Sequence, residues 1–306
     1  MNKKNDSRFQ SRKERLCEMK SKLMFSFLCL GLLFLTAVVV GGCAESRYSI
    51  TSYYYPDWTP DGKIICEKKV DNYRSGGGYP SFGSGASLTS TNYYITTMDT
   101  QGSQETNLKE INGLGYIATS VLGNYIAYVD GNYIKIVSMS GNDINSINTG
   151  AAIENVDWSP DESRLVYGSN IDINTDKVIV INRDGTNNIT LANGRTPKWA
   201  SAGDVIVFSS DSGKIDFYNL NSNSTAEINN IGFHFCWFKD ATRILYSNSG
   251  IWRIDVNGSN NVQLIFSNHS TPKISPDGSK ILAGNILDPG IWIFNIDGTG
   301  ENKIKN

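Results

Sequence analysis

Six times along this chain an anchor residue, most often tryptophan, precedes a polar turn and then an apolar run. The copies read WTPDGKIIC from Trp58, TSVLGNYIAY from Thr119, WSPDESRLVY from Trp158, WASAGDVIVF from Trp199, WFKDATRILY from Trp237 and ISPDGSKILA from Ile274. Successive anchors lie 61, 39, 41, 38 and 37 residues apart. A second series alternates with the first: an apolar run that ends in DTQGS at Asp99, SMSGN at Ser138, NRDGT at Asn182, NLNSN at Asn219, DVNGS at Asp255 and NIDGT at Asn295. Two interleaved series with one count mark an internal repeat of roughly forty residues, which decides the fold before any other reading.

The third copy shows what one unit does. A strand ends at Trp158, and Ser159-Pro160-Asp161 turns the chain. Proline presets φ at the second turn position, and the aspartate side chain accepts a nearby backbone N–H. Arg164–Tyr167 and Lys177–Ile181 read as the next two strands. Asp184-Gly185 closes their successor as a hairpin, because glycine takes positive φ without a Cβ clash. Four short antiparallel strands follow, with no helical period. Runs such as VIVI and VIVF are apolar on both faces, so one sheet cannot stand alone. Radial stacking covers each face with a neighbour. The expectation is an all-β, six-bladed β-propeller of four-stranded antiparallel blades, with Trp58, Trp158, Trp199 and Trp237 as wedges between blades.

The Trp-Ser-Pro-Asp-Gly and Asp-Gly pattern resembles the TolB-type, WD40-like propeller repeat, over Tyr53 to Asn306. That resemblance implies six blades and says little about function, since such repeats serve scaffolds, sugar-processing enzymes and the propellers of peptidases. The chain departs from TolB itself: there is no room for an N-terminal α/β domain, and the second repeat has lost its tryptophan and proline.

The start of the chain gives an address. Residues 1–22 carry eight Lys/Arg against three Asp/Glu, and an uncharged apolar run extends from Leu23 to Val40. This is the pattern of a secretion signal. VGGC, Val40 to Cys43, resembles the bacterial lipobox, which implies cleavage before Cys43 and lipid on its sulfur. An uncleaved membrane anchor is the alternative. The organisation read from this is a signal peptide over 1–42, with Met19 an alternative start, a lipid-anchored linker over 43–52 and the propeller over 53–306. The formal charge of −2 divides into +5 for the leader and −7 for the mature chain. An acidic exported chain lacks the electrostatic footprint for nucleic acid. Cys66 and Cys236 fall on blades one and five, which do not touch in a six-blade ring, so both are expected as free thiols.

The sequence holds little chemistry. Its two histidines are His234, on an innermost strand, and His269, in a connection; neither joins a metal-binding cluster. No Gly-x-Ser-x-Gly elbow occurs. Asp172, Asn174 and Asp176 stand at the first, third and fifth positions of an EF-hand-like loop, but Lys177 replaces the required glycine. At most a looser Ca²⁺ loop remains, and no other cofactor is implied. The insertion Glu67 to Asn92 reads as a long loop whose Tyr73, Arg74, Tyr79 and Phe82 sit among glycine hinges; with Asp288 of the sixth blade and His234 it would form a binding lip. The function expected is a non-enzymatic, monomeric, membrane-anchored envelope lipoprotein that binds a protein or peptide. A carbohydrate-active enzyme or glycan-binding protein at the channel mouth is the rival, favoured by two or more carboxylates converging on His234.

Overall fold

The computed structural model describes residues 36–37, 45–76, 86–172, 175–285, 287 and 290–305. The chain divides into two compact units, one of Met1–Ile50 with Asp71–Thr91, the other of Thr51–Val70 with Asn92–Asn306. All of the signal peptide except Thr36 and Ala37 lies outside the described residues, as do Cys43, Tyr79, Phe82, Asn174 and Asp288.

The larger unit is a six-bladed β-propeller. Its blades open on strands Glu45–Trp58, Ile117–Thr119, Ala152–Trp158, Arg195–Trp199, Phe233–Trp237 and His269–Ile274. Each is followed by three antiparallel strands in consecutive order, so every blade is a meander a-b-c-d. The core lies between blades, in six clusters, one for each neighbouring pair. Leu282, Ile291 and Ile293 of blade six pack with Trp58, Ile64 and Met98 of blade one and close the ring.

The repeated residues explain this packing. Trp158 is 2% exposed, and its indole donates to the carbonyl of Ala118 in the preceding blade at 3.1 Å. Trp237 does the same to Lys198 at 3.2 Å, and Trp58 to Lys273 at 3.2 Å across the ring closure. Trp199 differs: its indole bonds Gly203 in its own turn, while the Arg164 guanidinium of blade three lies 4.8 Å over its ring. Ser159 Oγ donates to Asp161 Oδ1 at 2.6 Å and accepts from Arg164 N at 2.9 Å, so the turn after Trp158 is tied by side chains at both ends. Bonds from the Ser159 and Ser163 hydroxyls hold the Asp161 carboxyl down at about 2.

Within the smaller unit, parts of strands a (from Glu45), b (Ile64–Gly76) and c (Ala86–Met98) of blade one lie side by side in that order. Asn72 joins all three through Ser49 at 2.6 Å and Ser90 at 3.0 Å. The expected Gly-hinged loop over 67–92 is therefore corrected. Most of it is strand, since its Thr, Tyr and Val residues suit a pleated surface better than a loop. Blade three departs in the same way: strands Arg164–Asp172 and Thr175–Asn182 include Asp172 and Asp176, which were read as part of an EF-hand-like loop. His269 also departs from the loop expectation. It opens strand a of blade six, 2% exposed, with its ring edge-on to Trp292 and Phe294.

Candidate functional site: the propeller channel and its mouth

In a meander blade the a–b and c–d turns lie at one end, the b–c turns and d–a connections at the other. The innermost strands line the axis, and the residue before each anchor faces inward. Around the ring these are Asp57, Ala118, Asp157, Lys198, Cys236 and Lys273. Lys273 Nζ lies 3.0 Å from Asp57 Oδ2, and Lys198 Nζ lies 2.6 Å from Asp157 Oδ1. Both ammonium groups lie over the Tyr116 ring of blade two, at 5.4 and 5.9 Å. The same inward side chains also bind the next blade. Asp57 accepts from Thr119 N, Asp157 from Trp199 N at 2.9 Å, and Cys236 Sγ from Ile274 N at 3.3 Å. Burial pushes the Asp57 carboxyl up, but the Lys273 and Lys198 charges outweigh it and hold the group below its ordinary value. Two buried ion pairs and a tyrosine thus cross-brace the channel.

Two residues further up each strand comes a second tier: Tyr55, Tyr116, Asn155, Thr196, His234 and Thr271. Tyr55, Thr196, His234 and Thr271 have φ between +48° and +53°. In blades four, five and six the strand-a ladder shifts register across that residue. For a β-branched threonine this backbone is strained, and surrounding structure must hold it there. Burial lowers the His234 pKa, and the Lys273 charge lowers it further, so the imidazole is neutral near pH 7. Beside this tier Glu67 is wholly buried, and both of its oxygens take the N–H of Gly115, at 2.9 and 3.1 Å. Burial pushes its carboxyl up to about 8, against the Gly115 bond. A Cβ on Gly115 would lie 2.0 Å from the Val129 carbonyl oxygen, which fixes glycine at this connection.

The end that carries the b–c turns and d–a connections is apolar along one arc. Ile231, Phe266, Leu287, Tyr55, Leu114 and Tyr133 are exposed there, on blades and connections five, six, one and two in ring order. Phe266 is 80% exposed and Leu287 75%.

Of the residues expected at a site, Tyr79, Phe82, Asn174 and Asp288 lie outside the described residues. His234 is on its innermost strand, as read, but the carboxylates of its ring are held by lysines. Tyr73 stacks on Tyr48 at 5.1 Å, so its face is already used; Arg74 is exposed. Of the expected Ca²⁺ loop, Asp172 pairs with Thr175, and Asp176 Oδ2 lies 2.9 Å from Arg195 Nη2. Among the described residues no group of three His, Cys, Asp or Glu is arranged to hold a metal. Cys66 and Cys236 are free thiols. The sequence reading missed the braced channel, although TPKW and TPKI carried a signal: a lysine inside an apolar innermost strand needs a buried partner.

This unit belongs to the class of six-bladed β-propellers, and the solved structures like it include TolB proteins. TolB from Acinetobacter baumannii matches with a TM-score of 0.58 and 15% identity over 83% of this chain and 78% of that one. A protein assigned as TolB from Agrobacterium tumefaciens matches with 0.59 and 16%, over 66% and 84%. An oligogalacturonate lyase in complex with manganese matches with 0.54 and 14%, over 89% and 84%. These likenesses concern the fold. No family model matches the chain, and no curated protein matches it.

Proposed function

We propose that this chain is a lipid-anchored protein of the bacterial cell envelope whose propeller binds a protein or peptide at the apolar end of its channel. One observation carries the binding reading: the arc from Ile231 to Tyr133 holds Phe266 and Leu287, the two most exposed large apolar side chains among the described residues. Aromatic and aliphatic groups of this kind anchor protein interfaces. The pairing of Asp57 and Asp157 with lysines supports binding rather than catalysis, because neither carboxylate is left to act as a base. The address rests on VGGC at Val40 to Cys43.

The test compares capture of envelope proteins by the wild type with capture by Phe266→Asp, Leu287→Asp and Val256→Asp. Val256 is exposed on the opposite end and serves as the control. The first two changes should abolish a captured partner that the third retains. A partner lost only with Val256→Asp would move the binding face to the turns. For the anchor, Cys43→Ser should abolish incorporation of labelled fatty acid; labelling that persists in this variant overturns the lipoprotein reading.

A further inference from the structure

The smaller unit presents a strand edge on which no described strand pairs. Strand d of blade one (Thr106–Ile111) pairs with strand c only from Tyr93 to Thr97. Strand c begins at Ala86, and strand b takes its other side. From Ala86 to Thr91 no described strand lies on the outer edge, and Ala86 to Ser90 are all exposed.

Elsewhere the molecule blunts its edges. All six c–d ladders contain a register shift, a bulge that bends the outermost strand. Edges are also guarded by lysine or proline, yet the run ASLTSTN contains neither and has no charge at all. Leu88, the single large apolar residue of the run, is 54% exposed. The smaller unit also has no buried core of its own: among its residues with described side chains, none is buried. Narrow sheets without a covered face are marginal in water and gain from added strands.

We propose that the edge Ala86–Ser90 pairs antiparallel with the same edge of a second copy of this chain, with Leu88 opposite Leu88. Charge selects this occupant. A strand that pairs with its own copy places like residues near like, which repels wherever the strand is charged, and this one is uncharged throughout. The Leu88 register sets Ser87 opposite Thr89 and Ala86 opposite Ser90. It buries the one exposed apolar side chain against its twin, because directly opposite residues share a face. A two-fold pairing of this kind is closed, so it gives a dimer and not a fibre. The proposal differs from the monomer expected from sequence.

The full chain in detergent would be followed by sedimentation equilibrium across a concentration series, beside Leu88→Lys and Thr89→Lys. Both changes lie on exposed strand positions, so folding should survive; a thermal melt of each variant checks it. The wild-type mass should rise toward twice the monomer with concentration, and both variants should stay monomeric. In a background with Ser at Cys17, Cys29 and Cys43, Leu88→Cys should form a disulfide-linked dimer under mild oxidation. Ile144→Cys, exposed on strand d of blade two, should not. A wild-type chain that stays monomeric throughout overturns the proposal. So does a dimer that survives Leu88→Lys and leaves Leu88→Cys unlinked.

Discussion

The two ends of the propeller are built by different rules. The end with the a–b and c–d turns is regular and acidic. Asp61, Asp161, Asp240 and Asp277 sit in a–b turns, and Asp99, Asp184, Asp255 and Asp297 in c–d turns. Most accept a backbone N–H two residues on, such as Thr186 N to Asp184 at 2.9 Å and Thr299 N to Asp297 at 3.0 Å. These carboxylates are satisfied by their own turns. At the other end glycine recurs, at Gly131, Gly213, Gly250 and Gly290 in b–c turns and at Gly115, Gly150, Gly194 and Gly232 in d–a connections, but the exposed apolar residues do not: Leu114, Ile231, Phe266 and Leu287 occupy connections of different length. The repeat therefore sets the side chains of the turn end, whereas at the mouth it sets little beyond glycines and leaves the exposed side chains to each connection.

Breaking the regular system should have the largest effect. Trp158→Ala removes a buried indole and its bond to Ala118, and should cost roughly 3–5 kcal/mol. A chemical-denaturation midpoint that does not move would mean the anchor is not a wedge. Asp57→Ala should cost about as much, roughly 3–5 kcal/mol, because it strands the wholly buried Lys273 ammonium beside Tyr116. The double variant Asp57→Leu with Lys273→Met should recover most of that loss, since an apolar pair needs no compensation. If the double variant unfolds as readily as the single one, the hydrogen bonds that Asp57 accepts from Trp58 N and Thr119 N matter more than the charge pair.

The same comparison predicts opposite responses to pH. Turn carboxylates such as Asp161 and Asp277 are held at about 2, so what they contribute is present above pH 4 and is lost as pH falls toward 2. Glu67, near the mouth, is pushed up to about 8 from 4.5. The folded state keeps its proton where the unfolded chain has released it. Its contribution is complete below about pH 4.5 and is lost as pH rises through 8, by up to roughly 1.4 kcal/mol per pH unit. Glu67→Gln should remove this limb, so the difference in stability between variant and wild type should widen from pH 5 to 8 and then level off. Parallel curves for the two proteins would show that Glu67 is already ionised at neutral pH.

How far the sequence carried these conclusions depended on local repetition. Trp158, Pro160 and Asp161 act within a few residues of one another, so their roles in turn and wedge were legible. The channel brace was not. Asp57 and Lys273 are partners at opposite ends of the propeller sequence, and only ring closure brings them within 3.0 Å. The left-handed Thr196 and Thr271 were hidden for another reason: threonine's own preference is against that backbone, and the surrounding ladder overrides it. The extension at blade one was misread because its glycines drew attention from the Thr- and Tyr-rich strands on either side.

The smallest effect on stability is expected at the smaller unit, and it separates the two candidate surfaces. Replacing Asp71–Thr91 by Asn-Gly joins strands b and c of blade one by a two-residue hairpin turn. The six inter-blade clusters contain no residue of the deleted segment, so the propeller loses none of its core. A shorter connection changes closure entropy only slowly, and the melting midpoint should move by no more than about 1 kcal/mol equivalent. Self-association through Leu88 should disappear with the segment. Capture of the partner should persist, because Phe266 and Leu287 remain. If capture disappears while the melt is unchanged, the binding residues are those of the deleted segment, Tyr73, Arg74, Tyr79 and Phe82, and the mouth is not the recognition face. If the melt itself collapses, the segment is part of the propeller's stability and the division into two units fails.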